Sequence, residues 1–184
     1  SIAAIGLNLL IGYTGQISLG HGAFFGVGAY AAAILGTRAG LPFIVTVPAA
    51  GFITALVGII FGLPSARLKH LYLLIATLAG QFIIEYVLVQ WDTLTRGAEG
   101  ILLPGASLFG IDLGTDKKFF CVVFASFVVM TWFAVNIVRC RDGRAFIAVR
   151  DNDLAAEGMG IPIFRYKLLA FAISSFYAGF AGAL

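Results

Sequence analysis

The stretch from Gly12 to Gly22, which reads GYTGQISLGHG, constrains the fold of this chain more than any other. It lies between two apolar runs, 2–11 and 23–35, and contains no Lys, Arg, Asp or Glu. Each glycine inside a helix costs about 0.8–1 kcal/mol relative to alanine, so a run this rich in glycine opposes a continuous helix. We therefore predict a hydrophobic helix that is broken within this stretch. The alternative is a polar loop between two ordinary membrane spans.

Composition sets the class of protein in which such a break can occur. Of the 184 residues, 60% are hydrophobic and 11% are charged, whereas soluble domains average about 25% charged residues. A soluble chain of this length could not bury so much apolar surface. We predict an all-α, polytopic integral membrane protein: a helical bundle with a broken helix near its N-terminus. Cys121 and Cys140 do not have the spacing of metal ligands, and we expect no metal site.

Apolar runs place the spans, because a helix needs about 20 apolar residues to cross the hydrocarbon core. The predicted spans are 1–11, 22–36, 43–63, 71–91, 119–138 and 168–184. We treat 1–184 as one transmembrane domain, and we expect it to be a fragment of a longer subunit. Two pairs of glycines at GxxxG spacing, Gly22 with Gly26 and Gly58 with Gly62, predict close packing of helices. A small hairpin is predicted at 108–113.

Basic residues predict the orientation of the chain in the membrane. Segments 139–167 and 64–70 hold six and two Lys or Arg residues, against one and three in segments 37–42 and 92–118. Lys and Arg are enriched in cytoplasmic loops close to the span ends. We therefore expect 139–167 to be a cytoplasmic loop. The net charge of +3 then reflects topology, and we expect no nucleic-acid partner.

A short helix of about two turns is predicted inside the loop 139–167. The run Asp-Asn-Asp at 151–153 offers side-chain acceptors for the free N–H groups at a helix start. Gly158 or Gly160 can end the helix in the left-handed conformation. Leu154 and Met159 would then project as apolar side chains, either from a surface without a partner or into a groove on a second protein.

Six blocks of sequence, found in order along the chain, carry a resemblance to one family. They are GYTGQISLGH at 12–21, AFFGVGAY at 23–30, LYLLIATL at 71–78, WDTLTRGAEGI at 91–101, RDNDLAAEGMGI at 150–161 and YKLLAF at 166–171. Together they closely resemble the bacterial branched-chain amino acid ABC transporter permeases, the LivM-like subunit. Because the blocks cover nearly the whole chain, the resemblance is more specific than any single glycine motif.

The resemblance implies a membrane subunit of an ATP-driven importer for branched-chain or related amino acids in the bacterial inner membrane. Its implied partners are two cytoplasmic ATPase subunits, a second permease subunit and a periplasmic substrate-binding protein, besides the lipid bilayer. It also implies that the coupling helix, which contacts an ATPase, is formed by Leu154, Ala155, Ala156, Glu157 and Gly158. The chain has no Walker A sequence, so we expect no enzyme activity and no cofactor here, with ATP used by the partners.

The chain departs from the family pattern at Gln81, Phe82 and Glu85, and again across 95–101. These departures change charge and polarity near the outer half of the pathway. They leave open a permease for urea, amides or small organic acids. Two further alternatives are a secondary transporter or channel built on the same broken helix, and a helical subunit that only scaffolds a complex.

The candidate residues of the substrate pathway are polar side chains in apolar surroundings: Thr14, Gln16, Ser18, His21 and Glu85. We predict that a helix begins between Ser18 and His21, with Ser18 as its N-cap, and that its first N–H groups face a passing carboxylate. A glycine hinge, and a packing role for His21, are the alternatives. An ionisable residue within a span usually faces a cavity, but Glu85 is also close enough to the outer interface to snorkel.

Overall fold

The computed structural model describes residues 1–65, 68, 70–91, 95, 107–108, 111–112 and 116–184. Its helices are α1 (Ile2–Asn8), which continues as a π-helix (Leu9–Tyr13), α2 (His21–Arg38), α3 (Phe43–Ser65), α4 (His70–Gln90), α5 (Asp116–Arg139), α6 (Arg141–Asp151), α7 (Asp153–Gly158) and α8 (Ile163–Ala183). The predicted hairpin is confirmed, since β1 (Ser107–Leu108) pairs antiparallel with β2 (Ile111–Asp112).

Three helical segments within the described residues are long and apolar enough to cross a membrane: Phe43–Ser65, Tyr72–Gln90 and Lys117–Arg139. At 1.5 Å per residue a helix of this length spans roughly 30 Å, the thickness of the hydrocarbon core. A helix also lies over each of the other predicted spans. The helix over the last predicted span begins at Ile163 instead of 168. Pro162 occupies its N-cap position, and the chain is helical directly after it.

The centre of the bundle is α8, which packs against α1, α2, α3 and α6. Glycines permit the close approach. A Cβ atom at Gly28 would collide with the backbone of Gly179, and one at Gly58 would collide with the side chain of Ser175. Membrane helices associate through such small residues, which let two backbones approach each other.

The two predicted glycine pairs differ in their surroundings. Gly58 and Gly62 both pack against α8, as close helix packing requires. Gly22 and Gly26 instead face α4, where an added Cβ would make ordinary contacts, 3.6 Å from Leu88 Cδ1 in the case of Gly26. The pair in α2 therefore leaves space beside α4, and the close contact of α2 with α8 falls on Gly28.

Contacts along α8 fix the directions of its neighbours. Followed along the chain, the first helix and α3 each contact α8 first near residues 176–177 and then near residues 167–168. Both therefore run antiparallel to α8. In contrast, α2 begins beside Ser174 and passes Gly179 further on, so it runs parallel. Leu68 and α7 line one shared cavity, so they lie at the same end of the bundle. This is the arrangement that the predicted orientation requires of segments 64–70 and 139–167.

Candidate functional site

The break between the first helix and α2 is shorter than predicted, and the chain reverses direction across it, because α1 runs antiparallel and α2 parallel to α8. The helix continues through Tyr13, and α2 begins at His21, so Gly12 is still helical and the break segment comprises residues 14–20. Gly15 has a φ of 67°, a left-handed conformation that glycine adopts without steric cost. The backbone N–H groups of Gly15 and Gln16 donate to carbonyls of the preceding turn, at 3.1 and 3.2 Å. These contacts end the first helix.

The predicted start of α2 is confirmed, but its predicted cap is wrong. Gly20 occupies the N-cap position, and no side chain caps the helix there. The reason is that Ser18 lies two residues too early and its side chain turns into the protein, where it is buried. The first backbone N–H groups of α2 have no acceptor within the helix, as at every helix start. No side chain caps them here.

The break segment carries α2 into the interior of the bundle. At one end Gln16 Nε2 donates to the backbone carbonyl of Lys167 at 3.2 Å. At the other, His21 lies 3.4 Å from Ser174 Oγ. From residue 167 to residue 174 an α-helix rises roughly 10 Å, and Ser174 lies near the middle of the 21-residue α8. Thus α2 begins about half-way through the bundle instead of at its edge.

Three of the predicted pathway residues, Thr14, Gln16 and Ser18, are buried. Thr14 Oγ1 donates to the Leu10 carbonyl at 2.6 Å and accepts from Gln16 Nε2 at 3.2 Å. Within the described part of the chain, Gln16 Oε1 and Ser18 Oγ have no hydrogen-bond partner. A buried polar atom left unpaired costs about 1–3 kcal/mol. The two oxygens therefore mark the break segment as a place where water or a passing polar group would be bound favourably.

The fourth residue, His21, joins three helices. Its Nε2 lies 2.9 Å from the Ala3 carbonyl oxygen, which can only accept, so Nε2 carries the proton and Nδ1 accepts from Ser174 Oγ. These contacts hold α1, α2 and α8 together. They favour the packing role for His21 over direct contact with a substrate.

Two adjoining cavities lie between α2, α3 and α4. The inner cavity, of about 320 Å³, adjoins the start of α2 at Gly20 and has the polar side chains of Ser65, Thr77 and Gln81 in an otherwise apolar lining. The outer cavity, of about 400 Å³, lies towards the end of α4 that carries Trp91 and is lined mainly by aliphatic and aromatic side chains. Phe61, Ile83 and Ile84 line both cavities. The two together form a mainly apolar path along α2, α3 and α4 that is partly open to the outside, since Ile83 and Trp91 are 54% and 52% exposed.

Thr77 joins the inner cavity to the break segment. Its Oγ1 accepts from the backbone N–H of Leu19 at 3.1 Å and donates to the Leu74 carbonyl at 3.0 Å. A Cβ added at Gly20 would lie 2.7 Å from the Thr77 carbonyl oxygen, so only glycine lets the two backbones approach this closely. The uncapped start of α2 is thereby held at the wall of the inner cavity.

The fifth predicted pathway residue, Glu85, is not brought to this site. It is exposed on α4, and it lines neither the inner nor the outer cavity. Its neighbour Ile84 is buried and lines both. Successive residues on a helix point about 100° apart, so the two side chains leave α4 in different directions. A role for Glu85 in the pathway stays a prediction.

The short helix predicted in the loop is present as α7. Asn152 Oδ1 accepts from the Ala155 N–H at 3.1 Å, the cap expected at this position. Gly160, with a φ of 82°, follows the helix in the left-handed conformation. Leu154 and Met159 are 75% and 70% exposed. The exposed apolar side chains predicted for α7 are thus confirmed.

One residue of the predicted coupling helix is misplaced. Ala156 is fully buried within the chain, because this side of α7 faces the bundle. It cannot contact an ATPase in this conformation, so its assignment to the docking surface is wrong. The exposed face consists of Leu154, Ala155, Glu157 and Gly158, together with Met159, which was left out of the predicted set.

Sequence reasoning also missed the helix α6 and the basic residue near its end. The signal was present, since Ala145, Phe146 and Val149 are buried and recur at helical spacing. Beyond them, Arg150 reaches the break segment, and its Nη1 donates to the Gly12 carbonyl at 2.8 Å. A polar cavity of about 330 Å³ lies between the break segment and the α6–α7 junction. In the described residues, no three His, Cys, Asp or Glu side chains come together as a metal site would require.

The fold and site together define a class: a multi-pass helical membrane protein in which a glycine-rich break between two helices lies beside an apolar path along α2, α3 and α4. The family model described as "Branched-chain amino acid transport system / permease component" matches residues 1–184. The chain belongs to this permease family.

Curated relatives include the high-affinity branched-chain amino acid transport system permease proteins LivM of Salmonella typhimurium and Escherichia coli. Each is 33% identical over 207 aligned residues, covering all of this chain and 49% of the relative. The probable branched-chain amino acid transport permease protein LivM of Methanocaldococcus jannaschii is 30% identical over 129 residues, or 70% of this chain and 37% of its own. The chain thus spans about half the length of the relatives it matches. No solved structure matches it.

Proposed function

We propose that this chain forms part of the membrane subunit of an ATP-driven importer for branched-chain amino acids. The observation that carries the proposal is the path between α2, α3 and α4. Its apolar walls meet an uncapped helix start in the middle of the bundle. Family membership supports the transport role, and the curated relatives are named for branched-chain amino acids.

The chemistry of the path suits such a substrate. A helix N-terminus carries roughly half a positive charge, which favours a carboxylate. Thr77 and Gln81 place neutral hydrogen-bonding groups in the inner cavity. Hydrogen bonds between these groups and a substrate would form and break during passage. The aliphatic and aromatic walls, with Phe61, Ile83 and Ile84 at the junction, would accept an aliphatic side chain. Urea lacks such a side chain, so these walls favour the branched-chain amino acids over urea.

The proposed setting is the bacterial inner membrane, with the α6–α7 end in the cytoplasm. There α7 would dock on one of two ATPase subunits through Leu154 and Met159, while a second permease subunit completes the pathway. A periplasmic binding protein would deliver the substrate to the opposite end. ATP would be used by the partner subunits, and this chain would need no cofactor.

Uptake of labelled leucine tests the proposal. The full-length permease is reconstituted with its partner subunits, and Thr77→Val is compared with Thr131→Val. Both threonines hydrogen-bond within their helices, but only Thr77 lines the inner cavity. We expect Thr77→Val to slow uptake severalfold and Thr131→Val to leave it unchanged. Wild-type uptake that does not need ATP, or that prefers urea to leucine, would contradict the proposal.

A further inference from the structure

We propose that Arg150 and Lys167 are positioning residues that transmit movement of α7 to the break segment, and so link ATP hydrolysis to opening of the path. This inference rests on the proposed function. It identifies a connection between two sites that sequence reasoning treated as separate: the helix expected to meet the ATPase and the break beside the pathway.

The first connection runs through Arg150, near the end of α6. Its Nη1 donates to the Gly12 carbonyl at 2.8 Å, in the last turn of the first helix, where carbonyl groups lack helical partners. A guanidinium also complements the partial negative charge of a helix C-terminus. Asp151 Oδ1 holds the other side of the group, accepting from Nε and Nη2 at 3.0 and 2.9 Å. The guanidinium thus bridges the α6–α7 junction and the end of the first helix, with the Arg150 and Asp151 side chains 44% and 60% exposed.

The backbone of the break fits closely around this side chain. A Cβ added at Gly15 would lie 3.0 Å from Arg150 Cγ. The glycine therefore serves two purposes, the left-handed turn and the close approach to the arginine stem. A shift of the α6–α7 junction towards the bundle would press directly on residue 15.

The second connection runs through Lys167, in α8. Its Nζ lies 2.7 Å from Asp153 Oδ2, at the first residue of α7, and the two side chains are only 13% and 29% exposed. The carbonyl of the same lysine accepts from Gln16 Nε2. One residue therefore binds α7 through its side chain and the break segment through its backbone.

These contacts make the break segment depend on the position of α7. Only Asn152 separates Asp151 from Asp153, so the partners of Arg150 and Lys167 move with the start of α7. The break segment ends at Gly20, which lines the inner cavity. A displacement at the ATPase end would therefore be passed along residues 15–20 to the start of α2.

The test measures ATP hydrolysis and leucine uptake in the assembled transporter. Arg150→Ala and Lys167→Ala are compared with Arg144→Ala and Arg165→Ala, two exposed arginines in α6 and α8 respectively. Arg150→Lys, which keeps the positive charge but loses the planar fork of the guanidinium, serves as the conservative variant. We expect the first two variants to keep ATP hydrolysis but to lose uptake about tenfold, within the roughly 5–150-fold range of coupling between sites. We expect Arg150→Lys to retain part of the leucine uptake that Arg150→Ala loses.

A second readout does not depend on transport. In a cysteine-free background, Ser18→Cys reports on the break segment, since residue 18 is buried. Labelling of this cysteine should be slow in the parent and severalfold faster with Arg150→Ala. A residue that only stabilised the fold would instead lower the amount of inserted protein and both activities together.

The outcomes separate the two proposals. If the wild type shows no ATP-dependent uptake of leucine, the proposed function fails. If the wild type transports and both alanine variants couple normally, with position 18 still protected, the role of Arg150 and Lys167 is refuted. Equal losses in the Arg144 and Arg165 controls would refute it as well.

Discussion

The packing of α2 on α8 gives the sharpest prediction about stability. At Gly28 an added Cβ would meet the oxygen, the Cα and the carbonyl carbon of Gly179. All three are backbone atoms, which cannot move aside as a flexible side chain would. Gly28→Ala must therefore push the two helices apart along their line of contact.

The cost can be worked from this geometry. A gap of 0.5–1 Å removes a quarter to a half of the roughly 0.1–0.2 kcal/mol that each atom pair contributes. Over about fifty pairs, the number that one large buried side chain makes, the loss is about 3 kcal/mol. Replacing a helical glycine by alanine returns about 1 kcal/mol. The expected net destabilisation is about 2 kcal/mol.

The matched control is Gly26→Ala, two residues earlier in α2. There the new Cβ would lie 3.6 Å from Leu88 Cδ1, an ordinary contact, so we expect no loss of stability and a gain of up to about 1 kcal/mol. Unfolding of the full-length protein in mixed micelles, titrated with a denaturing detergent, measures the difference. Equal midpoints for the two variants would refute the close α2–α8 contact.

Three further outcomes are expected. Leu154→Asp should leave stability within about 0.5 kcal/mol of the wild type, because the side chain is exposed. The same change should abolish leucine-stimulated ATP hydrolysis, and normal stimulation would refute docking through this face of α7. Ala156→Trp should destabilise the permease by about 1–3 kcal/mol or more, seen as a lower melting temperature, because the site is fully buried. Glu85→Gln should leave uptake unchanged, and Glu85→Cys should be labelled readily; loss of uptake would return this carboxylate to the pathway.

The fold was largely predictable, because each of its signals is local. Apolar runs place the helices, and the run Asp-Asn-Asp at 151–153 predicts the start of α7, which Asn152 caps. The glycine-rich stretch predicts the break, and its left-handed residue is one of those glycines, Gly15. Such features depend on neighbouring residues, which the sequence lists side by side.

The site was less predictable, because it depends on contacts between distant residues. Gln16 meets Lys167, and Gly12 meets Arg150, across more than a hundred positions. The sequence also does not show which way a hydrogen-bonding side chain near a helix start points. It therefore predicts Ser18 as the N-cap, a position that Gly20 occupies. Ala156 was misplaced for a similar reason, since a small residue in a short helix fits either the docking face or the buried face.

If the amino acid passes through the inner cavity, as proposed, a side chain that fills this cavity should slow uptake. Ala76 lines the cavity, whereas its neighbour Ile75 is exposed on the outside of α4. We measure initial rates of ATP-dependent leucine uptake for Ala76→Phe and Ile75→Phe at matched membrane levels. A phenylalanine at position 76 would fill much of the space through which the substrate is proposed to pass, so we expect a severalfold loss of uptake. We expect this loss for Ala76→Phe and an unchanged rate for Ile75→Phe; equal rates in the two variants would refute passage through the inner cavity.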